Sequence, residues 1–240
     1  MVLIFILLGG FAKGVAGQGL PLVATPVIAV LYDLRTAIVI NAIPTVLSDV
    51  PIILAGLPHV RQAARFLPFI LCGLVGILGG SQLLVSVNQA ILATVLATVV
   101  TIFVVTSWFN ILPVLSPRVG RVLGPPMGFL AGMTQGMAGA SGPMASMYLL
   151  SIGTPRHLYF FSINVIFQIL DIWQIFALSQ VGLYTPGLAT LGFLICVPTG
   201  IGMIAGFKAQ RHVNDLLFRR VILVILLLAA ANLVGRALMS

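Results

Sequence analysis

Long apolar runs separated by short polar gaps dominate the hydropathy pattern of this 240-residue chain. Most of the runs have about the 20 residues that an α-helix needs to span a bilayer. The pattern therefore predicts an all-α polytopic membrane protein with four segments in each half. We place the segments at about 2–31, 36–55, 66–86, 88–112, 122–150, 158–180, 184–207 and 219–238.

The first and fifth segments are longer than the others, and glycine and proline interrupt each of them. A continuous helix of about 30 residues would measure about 45 Å, against a hydrocarbon core of about 30 Å. The interruption is repeated, because LGGFAKGVAGQGLP at 8–21 returns as LAGMTQGMAGASGP at 130–143, 122 positions later. Broken helices are costly in lipid, so a duplicated break must serve a purpose. Each segment is either one tilted, interrupted crossing or a re-entrant hairpin of two half-helices.

The distribution of loop charges favours the hairpins. Lys and Arg in short loops collect on the cytoplasmic side of a membrane protein. If all eight segments cross, the eleven loop charges divide five against six; if two segments are hairpins, they divide nine against two. The favoured topology has six full crossings, two hairpins and both termini outside. The minority pair is Arg35 and Arg236, and the majority is Arg61, Arg65, Arg118, Arg121, Arg156, Lys208, Arg211, Arg219 and Arg220.

Three crossings per half is an odd number, so the second half enters the membrane from the opposite face. We therefore expect a single membrane transporter domain over 1–240, built from two inverted repeats at about 1–115 and 120–240. Each repeat would contain a re-entrant or broken helix pair plus three transmembrane helices, an arrangement common in transporters.

Weaker signals extend the repeat beyond the break and predict how its helices pack. Small-xxx-small spacings favour close helix contact in lipid. They occur at Gly76/Gly80, Gly128/Gly132/Gly136 and Gly202/Gly206. At an offset of 124, a two-residue shift from the break, Phe69, Cys72, Gly76 and Ile77 match Phe193, Cys196, Gly200 and Ile201.

Composition narrows the class of protein. The chain is 60% hydrophobic and 7% charged, whereas an ordinary soluble domain has about 25% charged residues. The net charge of +8 comes mostly from arginines between apolar runs, which set orientation and indicate no nucleic-acid partner. Met1 to Leu8 lacks a basic n-region, so we interpret it as membrane segment and not as a signal peptide. Cys72 and Cys196 lie within apolar runs, and no metal or nucleotide motif occurs, so we expect no cofactor.

The two breaks are the predicted substrate site. A half-helix that begins within the membrane presents unpaired N–H groups and a partial positive charge, which attract an anion. Two such starts that face each other would form an anion-binding cup; the alternative is that the glycines only permit a tight hairpin. The predicted substrate-binding residues are Lys13, Gly17, Gln18, Gly19, Pro21, Gln135, Gly139, Ser141, Gly142 and Pro143.

Three charged residues lie inside apolar segments. Lys13 either contacts the anion or extends its amine to the membrane surface. Asp49 and Asp171 are related by the offset of 122, and they are candidates to carry a coupling proton. The alternative is a structural acid bonded to a neutral partner on its own segment. The available partners are Asn41, Asn164, Gln168 and Gln174.

An intramembrane hydrolase is a weaker alternative. Gly139-Ala140-Ser141-Gly142 satisfies G-x-S-G, the nucleophile motif of rhomboid proteases. A serine needs an adjacent base, and the histidines at 59, 157 and 212 lie in or beside charged loops. We therefore expect no catalytic residues and no enzyme activity.

The sequences KGVAGQGLPLVATPVIAVL and GMTQGMAGASGPMASMYLL resemble the paired glycine motifs of the sulfite exporter TauE/SafE family, over essentially the whole chain. Both motifs are thinner than the family's fuller GxGGG-like pattern. The resemblance implies a secondary transporter of sulfite or an organosulfonate-type anion in the bacterial plasma membrane, with the lipid bilayer and a small anion as its partners. A facilitative anion channel on the same scaffold is the rival; direction, coupling ion and oligomeric state stay open.

Overall fold

The computed structural model describes residues 2–57, 60–109 and 114–209, and all regular structure in these ranges is helical. The eighth predicted segment at 219–238 lies outside them, as do His59, Arg211, His212, Arg219, Arg220, Arg236 and the side chains of Arg61, Arg156 and His157. The helices are α1 (Val2–Ala16), α2 (Leu20–Leu31), α3 (Leu34–Ala55), α4 (Val60–Ala63), α5 (Leu67–Ser86), α6 (Gln89–Trp108), α7 (Pro117–Ala138), α8 (Gly142–Ser151), α9 (Arg156–Gln180) and α10 (Pro186–Ala209), with a 3-10 turn at Ala64–Phe66.

Four of the described helices are long and apolar enough to cross a membrane. They confirm the prediction of an all-α membrane protein, and they correspond to the second, third, sixth and seventh predicted segments. The fourth predicted segment contains α6, which is not one of the four. The four spans are Leu34–Ala55, Ala64–Ser86, Leu158–Gln180 and Pro186–Ala209.

The first predicted segment is not one element but two helices, between which the chain doubles back. Helix α1 ends at Ala16 and α2 begins at Leu20. A side chain added at Gly9 would lie 3.2 Å from the carbonyl oxygen of Leu20. In a continuous helix these residues would be about 16 Å apart, at 1.5 Å per residue. The break is therefore a reversal of the chain.

The fifth segment reverses in the same way, and its first helix begins at Pro117, five residues before the predicted start. The N–H of Leu115 donates a hydrogen bond of 2.7 Å to the carbonyl of Ser151, just before α7 and at the end of α8. The hydroxyl of Tyr148 donates to the carbonyl of Gly120 at 3.1 Å. The start of α7 therefore lies beside the end of α8, so these two helices form a hairpin.

Two arginines join helix ends that are distant in sequence. Arg65 donates to Thr154 Oγ1 at 3.3 Å, which places the loop before α5 beside the loop before α9. Arg35, at the start of α3, donates to the carbonyls of Leu84 at 2.8 Å and Val87 at 2.9 Å, at the end of α5. Each pair of loops therefore lies at one end of the molecule.

Helix α7 packs closely on α5 because glycines occupy both surfaces. A methyl group added at Gly132 would overlap the backbone of Gly73, and one added at Gly76 would overlap the carbonyl of Phe129. Gly80 meets the backbone of α7 in the same way. This backbone contact confirms the predicted role of the small-xxx-small spacings in α5 and α7.

Helix α1 packs on α10 through the same kind of contact. A methyl group at Gly10 would overlap Thr199, and one at Gly202 would overlap the carbonyl of Leu7. Gly206 likewise meets the backbone of α1. Each hairpin's first helix therefore packs against a long helix from the other half of the chain.

These contacts correct the repeat register derived from the sequence. Gly76 packs on Phe129, and Gly202 packs on Leu7, which is the repeat partner of Phe129 at an offset of 122. Gly202 is therefore the counterpart of Gly76, at an offset of 126. Gly200, the counterpart at 124, has open space beside it and makes no such contact. The match at 124 is wrong for the helix interface.

Candidate functional site

The two breaks enclose one buried cavity, which α3 and α9 also help to line. A side chain at Gly142 would lie 3.3 Å from the amide oxygen of Gln18, so residues of the two breaks are neighbours. The free volume is about 20 Å³, enough for about one water molecule. The cavity brings together eight of the ten predicted substrate-binding residues and Asp171. Its lining is Lys13, Gln18, Gly19, Pro21, Leu22, Thr45, Gln135, Gly139, Ala140, Ser141, Gly142, Phe167 and Asp171.

Two predicted residues do not line this cavity. Gly17 lies against Phe160 and Asn164 of α9, where an added side chain would come within 2.9 Å of the Phe160 ring. Pro143 is buried in the first turn of α8. Their place in the structure fits a role in shaping the breaks.

Both helices that follow the breaks begin at the cavity without a side-chain cap. Gly19 precedes α2 and Ser141 precedes α8, and neither helix has a capping hydrogen bond from the side chain at that position. Proline lies in the first turn of each helix, as the sequence predicts. The first N–H groups of an α-helix have no partner within the helix. Two sets of such donors are therefore directed towards one small space.

Backbone conformation explains three of the glycines at the breaks. Gly17 has a φ of 73°, Gly19 a φ of 113° and Gly139 a φ of 64°, all in the left-handed region that other residues rarely adopt. Gly139 ends α7, and its N–H donates to the carbonyl of Gln135 at 2.8 Å. The glycines are therefore required by the turns that align the helix starts.

Lys13 is paired with Asp49 within the protein interior. Its amine lies 2.5 Å from Asp49 Oδ1, and the two side chains are 1% and 0% exposed. The amine also lies 5.7 Å from the centre of the Phe167 ring, within cation–π distance. Lys13 therefore does not extend to the membrane surface, which was one of the two alternatives.

Asp171 on α9 accepts a hydrogen bond from Gln135, which lies near the end of α7. Gln135 Nε2 donates to Asp171 Oδ1 at 2.6 Å and to Gln174 Oε1 at 2.8 Å. Gln135 Oε1 accepts from the N–H of Ser141 at 2.7 Å. The amide of Gln135 is therefore committed to protein partners. It orients Asp171 and the turn before α8, although the sequence predicts it as a substrate ligand.

The four neutral residues proposed as partners of the acids bond elsewhere or carry an unpaired oxygen. Asn41 donates to Thr25 Oγ1 at 2.9 Å, and Asn164 donates to the carbonyl of Phe160 at 2.7 Å. Gln174 donates to the carbonyl of Gln135 at 2.6 Å, and Gln168 Oε1 has no partner. Under the alternative of a structural acid, Asp171 does have a neutral amide partner, but it comes from Gln135 of α7 and not from its own segment.

Polar residues extend from the cavity towards both ends of the molecule. On one side, Ser146 donates to Gln18 Oε1 at 2.6 Å and accepts from the hydroxyl of Tyr159 at 3.0 Å. Tyr159 lies near the start of α9, the end that Arg65 joins. On the other side, a second small cavity shares four lining residues with the first and adds Thr25, Asn41, Ile38, Ala42 and Gln174.

The described ranges show what surrounds the serine of the G-x-S-G motif and whether side chains cluster as metal ligands. Ser141 lines the cavity, but no histidine is among the residues described there. No group of three or more His, Cys, Asp or Glu side chains in the described part of the chain is placed to hold a metal ion. The lining chemistry is that of amides, hydroxyls, one amine and one carboxyl.

A comparison of the chain with protein families identifies its class. The sulfite exporter TauE/SafE family matches residues 2–233, which is nearly the whole chain. The chain belongs to this family. A search of curated proteins and a search of solved structures gave no match.

Membership in the sulfite exporter TauE/SafE family makes the chain a membrane transporter with a small anionic substrate. The family is one of exporters, and the helices of this member are long and apolar enough to cross a membrane. The cavity between the breaks is the place in the described structure where backbone donors and a buried amine meet.

Three features of this TauE/SafE site are absent from the sequence prediction. These are the pairing of Lys13 with Asp49, the commitment of Gln135 to Asp171, and the chain of bonds through Ser146 and Tyr159. Opposite charges in two apolar segments of one repeat are a signal that could have indicated the ion pair. The bond from Gln135 to Asp171 lies within the second half and corresponds, at the offset of 122, to the pairing of Lys13 with Asp49. The chain through Ser146 and Tyr159 reaches Gln18 in the first half, a contact for which the sequence offers no pattern.

Proposed function

We propose that the protein is a secondary transporter that carries a small sulfur-containing oxyanion, sulfite or an organosulfonate, across the bacterial plasma membrane. The observation that carries this proposal is the convergence of two uncapped helix starts on one buried cavity that also holds Lys13. Helix N-termini supply backbone donors and a partial positive charge for an anion. The Lys13 amine adds N–H donors, and Asp49 balances its charge.

The proposed topology has six crossings and two re-entrant hairpins, with the two halves inverted relative to each other. Its support is the pair of contacts that join Leu115 to Ser151 and Arg65 to Thr154. If all eight segments crossed, each of these pairs would lie on opposite faces of the membrane. The reciprocal packing of α1 on α10 and α7 on α5 supports the inverted relation.

A carrier fits the closed cavity better than a channel does. A free volume of about 20 Å³ admits about one water, so an oxyanion enters only when the lining residues separate. Polar residues flank the cavity towards both ends, and alternate opening of the two sides would expose the same site in turn. Proton coupling through one of the two buried acids, Asp49 or Asp171, is part of the proposal.

Transport by the full chain in proteoliposomes tests the function. The measurement is uptake and efflux of labelled sulfite, methanesulfonate and acetate, each with and without an imposed pH gradient. We expect transport of at least one sulfur oxyanion, accumulation driven by the gradient, and loss of that accumulation when an uncoupler is added. Transport indifferent to the gradient and the uncoupler would favour a channel.

Ser141→Ala separates the carrier from a hydrolase. A carrier keeps transport with an altered affinity, because the backbone donors at the start of α8 remain. A serine hydrolase loses all activity when its nucleophile is removed. Ser116→Ala is a useful comparison, because Ser116 caps α7 at an exposed position away from the cavity.

A further inference from the structure

The two buried acids of the site differ in their surroundings. Asp49 Oδ1 lies 2.5 Å from the Lys13 amine, and Asp49 is not among the residues that line the cavity. Asp171 lines the cavity and receives one hydrogen bond, from Gln135, on Oδ1. Its other oxygen, Oδ2, is buried and has no hydrogen-bond partner; the same is true of Asp49 Oδ2, but of the two acids only Asp171 lines the cavity. Buried polar atoms are nearly always bonded, so this oxygen needs an explanation.

The charges around the cavity favour a neutral Asp171 when an anion is bound. The charged groups that face Asp171 are Lys13 on α1 and Asp49 on α3; α2, α7 and α8 contribute no titratable group to the described lining. Lys13 and Asp49 cancel each other. An ionised Asp171 would leave a net charge of −1, which repels an anion, whereas a protonated one leaves zero.

Protonation would also turn an acceptor into a donor. An ionised carboxylate only accepts hydrogen bonds, while a carboxylic acid has one O–H to donate. Gln135 occupies Oδ1 as a donor, so the proton belongs on Oδ2, the oxygen without a partner. A hydroxyl there would meet an oxygen of a bound oxyanion, opposite the remaining N–H groups of Lys13.

We propose that Asp171, and not Asp49, carries the coupling proton, and that its protonated Oδ2 donates a hydrogen bond to the transported anion. The proton comes from water on the side where the anion enters, binds to Oδ2, and returns to water on the side where the anion leaves. No other bond forms or breaks. Asp49 stays paired with Lys13 throughout, and Gln135 positions Asp171. This inference rests on the proposed transport function.

The test compares exchange with accumulation in proteoliposomes containing wild-type protein or Asp171→Asn. Exchange means the swap of labelled for unlabelled anion at equal pH, and accumulation means uptake driven by a pH gradient; the probe is whichever of sulfite and methanesulfonate the wild type transports. Asparagine resembles the protonated acid because it is neutral and can donate. We expect Asp171→Asn to keep exchange and to lose accumulation completely. Retained accumulation in this variant would overturn the inference.

Control variants separate this role from a structural one. Asp33→Asn removes a carboxylate that only caps α3, where asparagine also caps well, so both activities should persist. Asp171→Glu restores a titratable group and should restore accumulation with altered affinity; if it accumulates no better than Asp171→Asn, the assignment fails. Asp49→Asn should impair exchange and accumulation together. If this variant lost accumulation alone, Asp49 and not Asp171 would be the proton carrier.

A second measurement applies if Asp171→Asn does not fold. Infrared difference spectra of the wild type, with and without the anion, should show the carbonyl band of a protonated carboxylic acid shift on binding, and Asp171→Glu should displace that band. Absence of any such band in the wild type would overturn the inference. Failure of the proposed function is a different result, in which the wild type transports no anion in either mode.

Discussion

At the scale of single residues, the unusual feature is a complete ion pair buried among apolar helices. Lys13 and Asp49 are both essentially inaccessible, and the cavity that Lys13 lines has room for about one water molecule. Removing one member of a buried pair costs about 3–5 kcal/mol, because the other charge is left without compensation. Replacing both with apolar residues is often neutral. Stability and transport should therefore respond differently to these substitutions.

Lys13→Met should destabilise the protein by about 3–5 kcal/mol, since Asp49 loses its partner. Lys13→Met combined with Asp49→Leu should recover most of that stability yet fail to transport, because the amine that attracts the anion is absent. The measurements are thermal unfolding in detergent and anion exchange in proteoliposomes. If the double variant transported as well as the wild type, Lys13 would have no role in substrate binding.

Gln135→Leu should impair both turn geometry and the orientation of Asp171. The substitution leaves Asp171 Oδ1 and the N–H of Ser141 without the partners that Gln135 supplies. An unsatisfied buried polar group costs about 1–3 kcal/mol. The midpoint of unfolding should fall, and Gln135→Glu, which keeps an acceptor for Ser141 but loses the donor to Asp171, should give an intermediate stability. Equal stability of all three proteins would contradict this view of Gln135.

Sequence alone could predict which residues gather at the site but not their bonds. The repeated break, its glycines and prolines indicate where two helices start, because these residue types have strong local preferences. The partners of Lys13 and Asp171 could be predicted only in part. Opposite charges in two apolar segments could have indicated the partner of Lys13. The partner of Asp171 is a neutral residue on another helix, and hydropathy gives no information about which polar side chains of packed helices face each other.

At the scale of helices, glycine decides how closely α5 and α7 approach. Gly76 faces the carbonyl of Phe129, whereas Gly79, one turn further along the same helix, has open space. We expect Gly76→Ala to destabilise by about 1–3 kcal/mol, since the helices must separate. Gly79→Ala should be neutral or stabilise by up to about 1 kcal/mol, as alanine favours a helix. Thermal unfolding of both variants in detergent makes the comparison, and similar effects would contradict the packing.

The register of the repeat at this scale could be predicted only in part. Sequence matching at an offset of 124 pairs Phe69 with Phe193, but Phe69 is 1% exposed and Phe193 is 60% exposed. The match therefore pairs a residue in the protein interior with one on the outer surface. The backbone contacts of Gly76 and Gly202 define the register at 126, and apolar composition cannot distinguish a helix interface from a surface that faces lipid.

At the scale of the whole molecule, the topology predicts which face each loop occupies. A cysteine at position 35 should react with an impermeant thiol reagent from outside the cell, and one at position 156 from the cytoplasm. The background is Cys72→Ala with Cys196→Ala, since both native cysteines are partly accessible. Reaction of the two positions from the reverse faces would contradict the proposed orientation.

Alternating access makes a second prediction at this scale. Thr25 and Ser146 are both buried beside the cavity, on its opposite sides. In the same cysteine-free background, Thr25→Cys should react only from outside and Ser146→Cys only from the cytoplasm, and added substrate should change both rates in opposite directions. Reaction of either position from both faces at once would indicate a continuous channel.

The reciprocal packing of the two halves has a consequence for synthesis of the chain. Gly10 of α1 meets Thr199 of α10, and these residues are 189 positions apart. At about 5–20 residues per second, roughly 10–40 s pass between translation of the first and of its partner. During that interval the glycine surface of α1 is not yet covered by α10. The contact between α1 and α10 therefore forms late in synthesis, after Pro186–Ala209 has been translated.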